Sequence, residues 1–308
     1  MLRTLIVDSN NDNKRIDKVL QKLLREAPAS AFHKAFRKKD IKVNGIRVAP
    51  EHIVFEGDKI DVYIPDQVLD NLFAFSPSDK HAGFSVVYED KGILIVNKPQ
   101  GLPVHPDSTR QHNTLIDLVK QYIEDKSPCG AVDVHLCHRL DRNTGGLIVI
   151  AKNSATLKAV LERMENGEIT KSYQCKVSGK MEKPKDELNA YIEKDSMESR
   201  VYVHEKSSEN RLKIVTRYKV LEYDRFTDLS ILEVVPVTGR THQIRAHMAF
   251  IGHPIVGDGK YGPNELNRKF KAKFQMLWAY RMSFDLKGNC PQLEGVRGKT
   301  FEVSPRWS

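Results

Sequence analysis

Cysteine is scarce in this chain: Cys129, Cys137, Cys175 and Cys290 are the only four in 308 residues, and no two form a C-x-x-C pair. Such spacing excludes a disulfide framework and offers no zinc-finger pattern, so a reducing compartment, the cytoplasm, is expected. Long apolar runs are missing as well. No stretch approaches the roughly 20 residues that a membrane-spanning helix needs, and the opening MLRTLIVDSNNDNKRID lacks the apolar core of a signal peptide. No membrane partner is expected. The chain has no internal repeat, no low-complexity segment, no P-loop and no dinucleotide-binding glycine fingerprint.

Positive charge, by contrast, is plentiful. Lys and Arg total 49 against 40 Asp and Glu, a formal net charge of +9. That excess favours a polyanionic partner, of which nucleic acid is the commonest. With 40% hydrophobic and 29% charged residues, the chain can build one large or two modest cores.

The first segment predicts a small unit. In 15-RIDKVLQKLLR-25, Ile16, Val19, Leu20, Leu23 and Leu24 share a helical face. Pro28 ends that pattern, and Ser30 can cap a second helix bearing Phe32 and Phe36. The stretch 41-IKVNGIRV-48 places Asn-Gly between two β-rich arms, the strongest short hairpin signal. Ile60, Val62 and Ile64 then alternate as a half-buried strand. Lys34, Arg37, Lys38, Lys42 and Arg47 crowd one end, with only Asp40 nearby to offset them. A solvated charged face is one reading of that cluster, and a phosphate-neutralising surface is the other. Residues 1–65 are thus expected to form the first domain, 66–83 a linker and 84–308 a second domain.

Three separated motifs dominate the second domain. Two β-rich segments around Glu89–Gly92 lead into a rigid loop, 97-NKPQGLPVHP-106. Next, 137-CHRLDRNTGG-146 places Asp141 in a tight loop before the apolar strand 147-LIVIA-151. Alone, this decapeptide reads as an ordinary Arg–Asp ion pair. Asn153 or Ser154 then caps a helix with Leu157, Val160, Leu161 and Met164 inward and Gly167 as its stop, and the strand 171-KSYQCKVSG-179 carries Tyr173. The third motif, 238-TGRTHQIRAHMAFIGHPIVGD-258, follows an apolar strand and predicts a helix with Ile244, Met248 and Ile251 inward. Read plainly, it is amphipathic with a charged outer face. The density of Arg240, His242, Arg245 and His247 beside glycine instead suggests anion recognition.

Taken together, NKPxGLxVHP, HRLDxxTxG, the K-x-Y strand and GRTHQIRxHM…GHPIxGD resemble, in order and spacing, the RluA-type pseudouridine synthases. The resemblance covers about residues 84–290, while residues 13–65 resemble the RNA-binding domain shared by ribosomal protein S-four and several RNA enzymes. It implies an α+β chain, a helix–helix–hairpin RNA-binding domain followed by a mixed, mainly antiparallel catalytic sheet. It also implies isomerisation of uridine to pseudouridine in RNA, large-subunit rRNA first and tRNA as the alternative, by a monomer without cofactor or metal. Asp141 takes the role of catalytic carboxylate, Arg245 of its salt-bridge partner, and Tyr173 of the aromatic that stacks on uracil and can remove the proton from carbon 5. Ile244 would touch the base and Arg139 would fill the space it vacates. One position departs: the family commonly has serine where this chain has Gly145.

Rival readings are weaker. A thiol relay from Cys137, His138 and Asp141 fails because neighbours in an extended loop point apart. A zinc site would need His135, Cys137, His138 and His253 to converge, and a glycosidase would need a second acidic motif. The non-enzymatic rival is an RNA-binding or ribosome-assembly protein on a silent synthase fold; Asp141, Tyr173 and Arg245 argue against silence.

Overall fold

The structure is a computed structural model that describes residues 2–7, 11–23, 35–38, 40–63, 83–106, 112–126, 133–195, 198 and 200–307. The chain divides into two units, residues 1–78 and 79–308. No helix among the described residues is long and apolar enough to cross a membrane.

The first unit contains β1 (Leu2–Ile6), β2 (Lys14–Arg15), α1 (Ile16–Leu23), a helical turn at 35–38, β3 (Ile41–Val43), β4 (Ile46–Arg47), β5 (Ile53–Val54) and β6 (Lys59–Tyr63). Four of these strands form a sheet in the order β1-β6-β3-β4. Ile16, Val19 and Leu20 of α1 are buried with Ile41, Val43, Ile60 and Val62, so helical and strand periodicities meet in one core. The Asn-Gly hairpin forms as its sequence requires: Asn44 and Gly45 both take positive φ, 50° and 82°. The Asn44 side chain fixes the turn by accepting from Lys59 N–H (2.9 Å) and donating to Asp58 Oδ1 (2.8 Å). The helix read over 15–25 starts one residue later, because Arg15 pairs with Ile53 in β2–β5. Leu24, Pro28, Ser30, Phe32 and Lys34 lie outside the described residues, as does all of the expected linker except Gly83.

The second unit runs β7 (Ser85–Glu89), β8 (Ile93–Lys98), α2 (Leu115–Lys126), β9 (His135–Leu136), β10 (Gly145–Ala151), α3 (Ser154–Glu165), β11 (Ile169–Ser178), β12 (Lys185–Asp195) and β13 (Arg200–His204). It continues through β14 (Leu212–Asp224), β15 (Leu229–Pro236), α4 (Gln243–Phe250), α5 (Asn264–Lys269), β16 (Leu277–Phe284), a short 3-10 helix (Pro291–Val296) and β17 (Thr300–Glu302). The sheet order is β13-β12-β14-β15-β11-β16-β10-β8-β7, with β17 beside β16 and β9 beside β10. Only β10 and β16 run parallel; every other pair is antiparallel. The architecture is therefore mixed α+β with a large, mainly antiparallel sheet, as expected.

Strand β10 is buried at all seven positions, which is why it reads as one apolar run rather than an alternation. Ile148 and Ile150 enter the cluster that includes Leu115 and Val119 of α2, and Leu147, Val149 and Ala151 enter the cluster on the other face. Asn153, not Ser154, caps α3, its side chain accepting from Thr156 N–H at 2.8 Å. Leu161 departs from expectation, being 46% exposed. The buried stripe of α3 runs through Val160 with Leu157 and Met164 beside it, and is too narrow to include Leu161.

Candidate active site

Asp141 opens a turn closed by Thr144 N–H donating to Asp141 O at 3.0 Å. The chain then enters β10 through two glycines, each with a steric reason. Gly146 has φ 115°, and a Cβ there would lie 2.2 Å from the Ala279 carbonyl oxygen; a Cβ on Gly145 would lie 2.4 Å from the Trp278 ring. Other segments strap the turn. Gly101 N–H donates to Arg142 O at 2.9 Å, and Gln100 Nε2 bridges Asn143 O (3.0 Å) and Gln275 O (2.7 Å). Gln275 Nε2 in turn donates to Thr144 Oγ1 at 3.1 Å. Lys98 is fully buried beneath the turn and donates to Pro99 O (2.8 Å), Leu102 O (2.8 Å) and Arg142 O (3.1 Å). Burial pulls its pKa down to about 7 while the charge of Asp141 pulls the other way. Three carbonyls match the three donors of an ammonium, which favours the charged form.

Helix α4 differs from the amphipathic helix that its sequence predicts. It spans only Gln243–Phe250, and Gln243 through His247 are buried together with Met248. Its polar side chains are buried because each has a partner. Gln243 donates to Val215 O (3.0 Å) and Thr216 Oγ1 (3.1 Å) and accepts from Thr238 Oγ1 (2.8 Å) and Arg240 N–H (3.1 Å). His247 Nδ1 lies 3.0 Å from Thr216 Oγ1, and burial lowers its pKa to about 4. Arg245 makes the decisive contacts. Its Nη1 donates to Asp141 Oδ2 at 2.8 Å, while Nε and Nη2 grip Asp258 Oδ2 and Oδ1 at 2.7 and 2.9 Å. Burial opposes the Arg245 charge, but Asp258 and then Asp141 outweigh it and hold its pKa above the ordinary value. Burial likewise works against ionised Asp258, yet Arg245 and the N–H groups of Lys260 and Tyr261 keep its pKa below the usual carboxylate range. A buried carboxylate thus aims a guanidinium at a second, partly exposed carboxylate.

Tyr173 and Ile244 belong to one apolar cluster. Burial, then the charge of Asp141, raises the Tyr173 hydroxyl above its ordinary pKa. A carboxylate, a fixed cation and a buried aromatic therefore come together from three separated stretches of chain.

A family model described as RNA pseudouridylate synthase matches residues 92–250, a span that holds Asp141, Tyr173 and Arg245. The chain belongs to the RNA pseudouridylate synthase family. Among curated relatives, an uncharacterized RNA pseudouridine synthase of Aquifex aeolicus is 30% identical over 96% of this chain and 94% of its own length. Ribosomal large subunit pseudouridine synthase C of Escherichia coli is 31% identical over 87% of this chain and 82% of its own. Among solved structures, Human RNA Pseudouridylate Synthase Domain Containing 4 superposes with a TM-score of 0.58 at 23% identity, covering 72% of this chain and 88% of that one. That likeness concerns the fold.

Within this synthase, Asp141, Arg245, Tyr173 and Ile244 lie in one unit, as the motifs imply. Arg139 is exposed and pairs with no carboxylate among the described residues; its charge and burial both lower the pKa of His105 in the neighbouring loop, burial the more. In the first unit, Arg37, Lys38 and Arg47 are exposed, and Lys42 faces Arg47 across the hairpin. Cys137 is buried, and burial pushes its thiol up to about 12, which works against a nucleophilic role. Sequence reasoning missed Lys98, Asp258 and Tyr261, and named His242 only as one of four clustered donors. Lys98 and Asp258 stand inside the quoted motifs, and the signal that could have found Asp258 is a lone acid closing a strongly cationic motif.

Proposed function

We propose that this protein isomerises uridine to pseudouridine in large-subunit ribosomal RNA, with Asp141 as the catalytic carboxylate. The observation that carries the reading is the Asp258–Arg245–Asp141 chain of charge-assisted bonds beside Tyr173. The rRNA substrate is inferred from the relative named for the ribosomal large subunit. Residues 1–65 act as an S-four-type RNA-binding domain, with Lys34, Arg37, Lys38, Lys42 and Arg47 on phosphates. The protein works as a cytoplasmic monomer.

Isomerisation must break the bond between ribose and uracil nitrogen, turn the base and rejoin it through carbon 5. Arg245 orients Asp141 through Oδ2, leaving Oδ1 for the nucleotide. The target base must leave its stack, at a cost of about a few kcal/mol; Arg139 fills the vacated space, and Tyr173 and Ile244 receive the base. Tyr173 is assigned the stacking role, because its raised pKa works against its removing the carbon-5 proton.

The test is single-turnover conversion on naked large-subunit rRNA, assembled subunits and tRNA, read as carbodiimide-dependent reverse-transcription stops. Wild-type protein is expected to convert a uridine in rRNA. Asp141→Asn is expected to keep fold and RNA affinity while conversion falls at least about a thousandfold, equal to about 4 kcal/mol of transition-state stabilisation. Wild-type conversion of tRNA alone would overturn the substrate, and an active Asp141→Asn would overturn the catalytic assignment.

A further inference from the structure

His242 stands outside the chemistry assigned above, yet the fold places it with unusual care. It occupies the left-handed region, φ 53° and ψ 16°, at the N-cap of α4, and its side chain makes no capping bond. Left-handed backbone at a non-glycine residue is uncommon and persists where the surroundings enforce it. What the conformation achieves is to aim the imidazole at the site: Nε2 lies 3.9 Å from Asp141 Oδ1, the oxygen that Arg245 leaves open. That gap is too long for a direct hydrogen bond.

The other ring nitrogen fixes which group points into the gap. His242 Nδ1 lies 2.9 Å from the Tyr261 hydroxyl, and that oxygen accepts Val201 N–H at 3.0 Å. With its oxygen accepting from the backbone, the phenol is left to donate its hydrogen, and Nδ1 is the acceptor within reach. The opposite arrangement would crowd two donors on one phenol oxygen and leave the phenolic hydrogen without an acceptor among these contacts. Tyr261 is itself held between two guanidiniums, Arg200 and Arg245, at 5.1 and 5.3 Å from its ring centroid. Burial, with Arg245 and Lys260 adding to it against the opposing pull of Asp141 and Asp258, lowers the His242 pKa to about 4. The ring is therefore neutral, and its single hydrogen sits on Nε2, facing Asp141.

A donor and an acceptor 3.9 Å apart can share one oxygen that sits beside the gap, within hydrogen-bond distance of both, accepting from one and donating to the other. In an RNA chain interior, the group of a uridine that does both at one atom is the 2′-hydroxyl; the uracil carbonyls only accept and N3–H only donates. We propose that His242 Nε2–H and Asp141 Oδ1 jointly hold the 2′-hydroxyl of the target nucleotide, making His242 a substrate-binding residue that distinguishes ribose from deoxyribose. The proposal rests on the synthase reading of Asp141, and places the carboxylate beside the sugar carbon whose bond to the base must break.

Two measurements on the full chain test it. First, 15N spectra of histidine-labelled wild-type protein are expected to show His242 as the Nε2–H tautomer at neutral pH, and Tyr261→Phe to shift it towards a mixture. A wild-type ring protonated on Nδ1 overturns the proposal. Second, a synthetic RNA hairpin is built around the uridine located in the rRNA assay, with either a 2′-hydroxyl or a 2′-hydrogen at that nucleotide. It is converted by wild type and by His242→Asn, chosen because asparagine tolerates the left-handed region and is too short to reach the gap. Losing the hydroxyl is expected to slow wild type about ten- to a hundredfold, and to slow the variant by a factor about two- to tenfold smaller, because Asp141 still accepts from the hydroxyl when the neutral donor His242 is gone. Equal slowing of both enzymes overturns the proposal while leaving the synthase reading intact. A wild type that converts neither RNA overturns both. Should His242→Asn fail to fold, the wild-type tautomer still decides.

Discussion

Replacing Asp258 by asparagine isolates the group that aims Arg245. The exchange is nearly isosteric, but it places an amide N–H₂ or loses a charge against a guanidinium that now makes bonds of 2.7 and 2.9 Å to both carboxylate oxygens. Asp258 is fully buried and Arg245 is 9% exposed, so solvent screens little of the interaction. With charge centres about 4 Å apart and an effective dielectric of about 20, the lost attraction is about 4 kcal/mol, within the roughly 3–5 kcal/mol seen when one partner of a buried pair is removed. Urea unfolding followed by tryptophan fluorescence reads it out cleanly, because both tryptophans, Trp278 and Trp307, lie in the second unit. Asp258→Asn is expected to lower the stability of that unit by about 3–5 kcal/mol. Single-turnover conversion should also fall in the protein that remains folded, since Arg245 loses the contact that fixes its direction. Adding Arg245→Met is expected to restore part of the stability and none of the activity, because the second change removes the uncompensated cation. A loss below about 1 kcal/mol, typical of an exposed pair, together with unchanged conversion, would refute the idea that Asp258 positions Arg245.

Gly145→Ser would drive a Cβ to 2.4 Å from a Trp278 ring that is 4% exposed and packed against Trp307. A loss of about 1–3 kcal/mol is expected, partly relieved by Trp278→Leu in thermal melts; no loss would mean that the ring moves freely. Removing residues 1–78 is expected to leave the second unit folded and to flatten the salt dependence of RNA affinity. If Arg37, Lys38, Lys42 and Arg47 each contact a phosphate, the log–log slope falls by about 3–4, and an unchanged slope in filter binding would reduce the cluster to a solvated surface. Burial of Glu89 works to raise its pKa, but bonds from Lys126 (2.7 Å), Lys152 (2.9 Å) and Tyr122 (2.8 Å) bring it down to about 2. Because the folded pKa lies below the unfolded one, this stability is present above about pH 4.3 and is lost as pH falls towards about 2, amounting to about 3 kcal/mol. Acid titration of Glu89→Gln should lack that component; parallel curves would count against it.

Much of the site was legible because its residues sit in short motifs whose local chemistry is strong. Asn44-Gly45 determines its own turn, the apolar run before Asn153 can only be an interior strand, and Asp141 precedes that strand in a stretch too short to wander. What was hidden depends on partners distant along the chain. Arg245 and His247 read as an outer helical face because Asp141 and Thr216 lie far off in sequence, and Asp258, though it closes the same motif, lies beyond the helix. Lys98 looks like a surface lysine until Pro99, Leu102 and Arg142 turn their carbonyls towards it. Leu161 satisfied the helical period, but how wide a stripe a helix buries is decided by the surface it meets. The resemblance supplied the proposed role of Asp141, which the decapeptide alone read as half of an ion pair; Asp141 does pair with an arginine, but with Arg245 from outside the decapeptide.

The place of β16 has a consequence for how the molecule comes into being. Among the described residues it is the strand joining the β7–β8–β10 side of the sheet to the β11–β15 side, yet at Leu277–Phe284 it follows both sides in the chain. Until β16 is made, the strands on either side lack their common partner, and the unpaired parts of their edges are open to mispairing. Gln275, whose side chain braces Thr144, arrives with the same late segment. A chain that has made Asp141 and Arg245 therefore still lacks the strand that joins the two sides of the sheet.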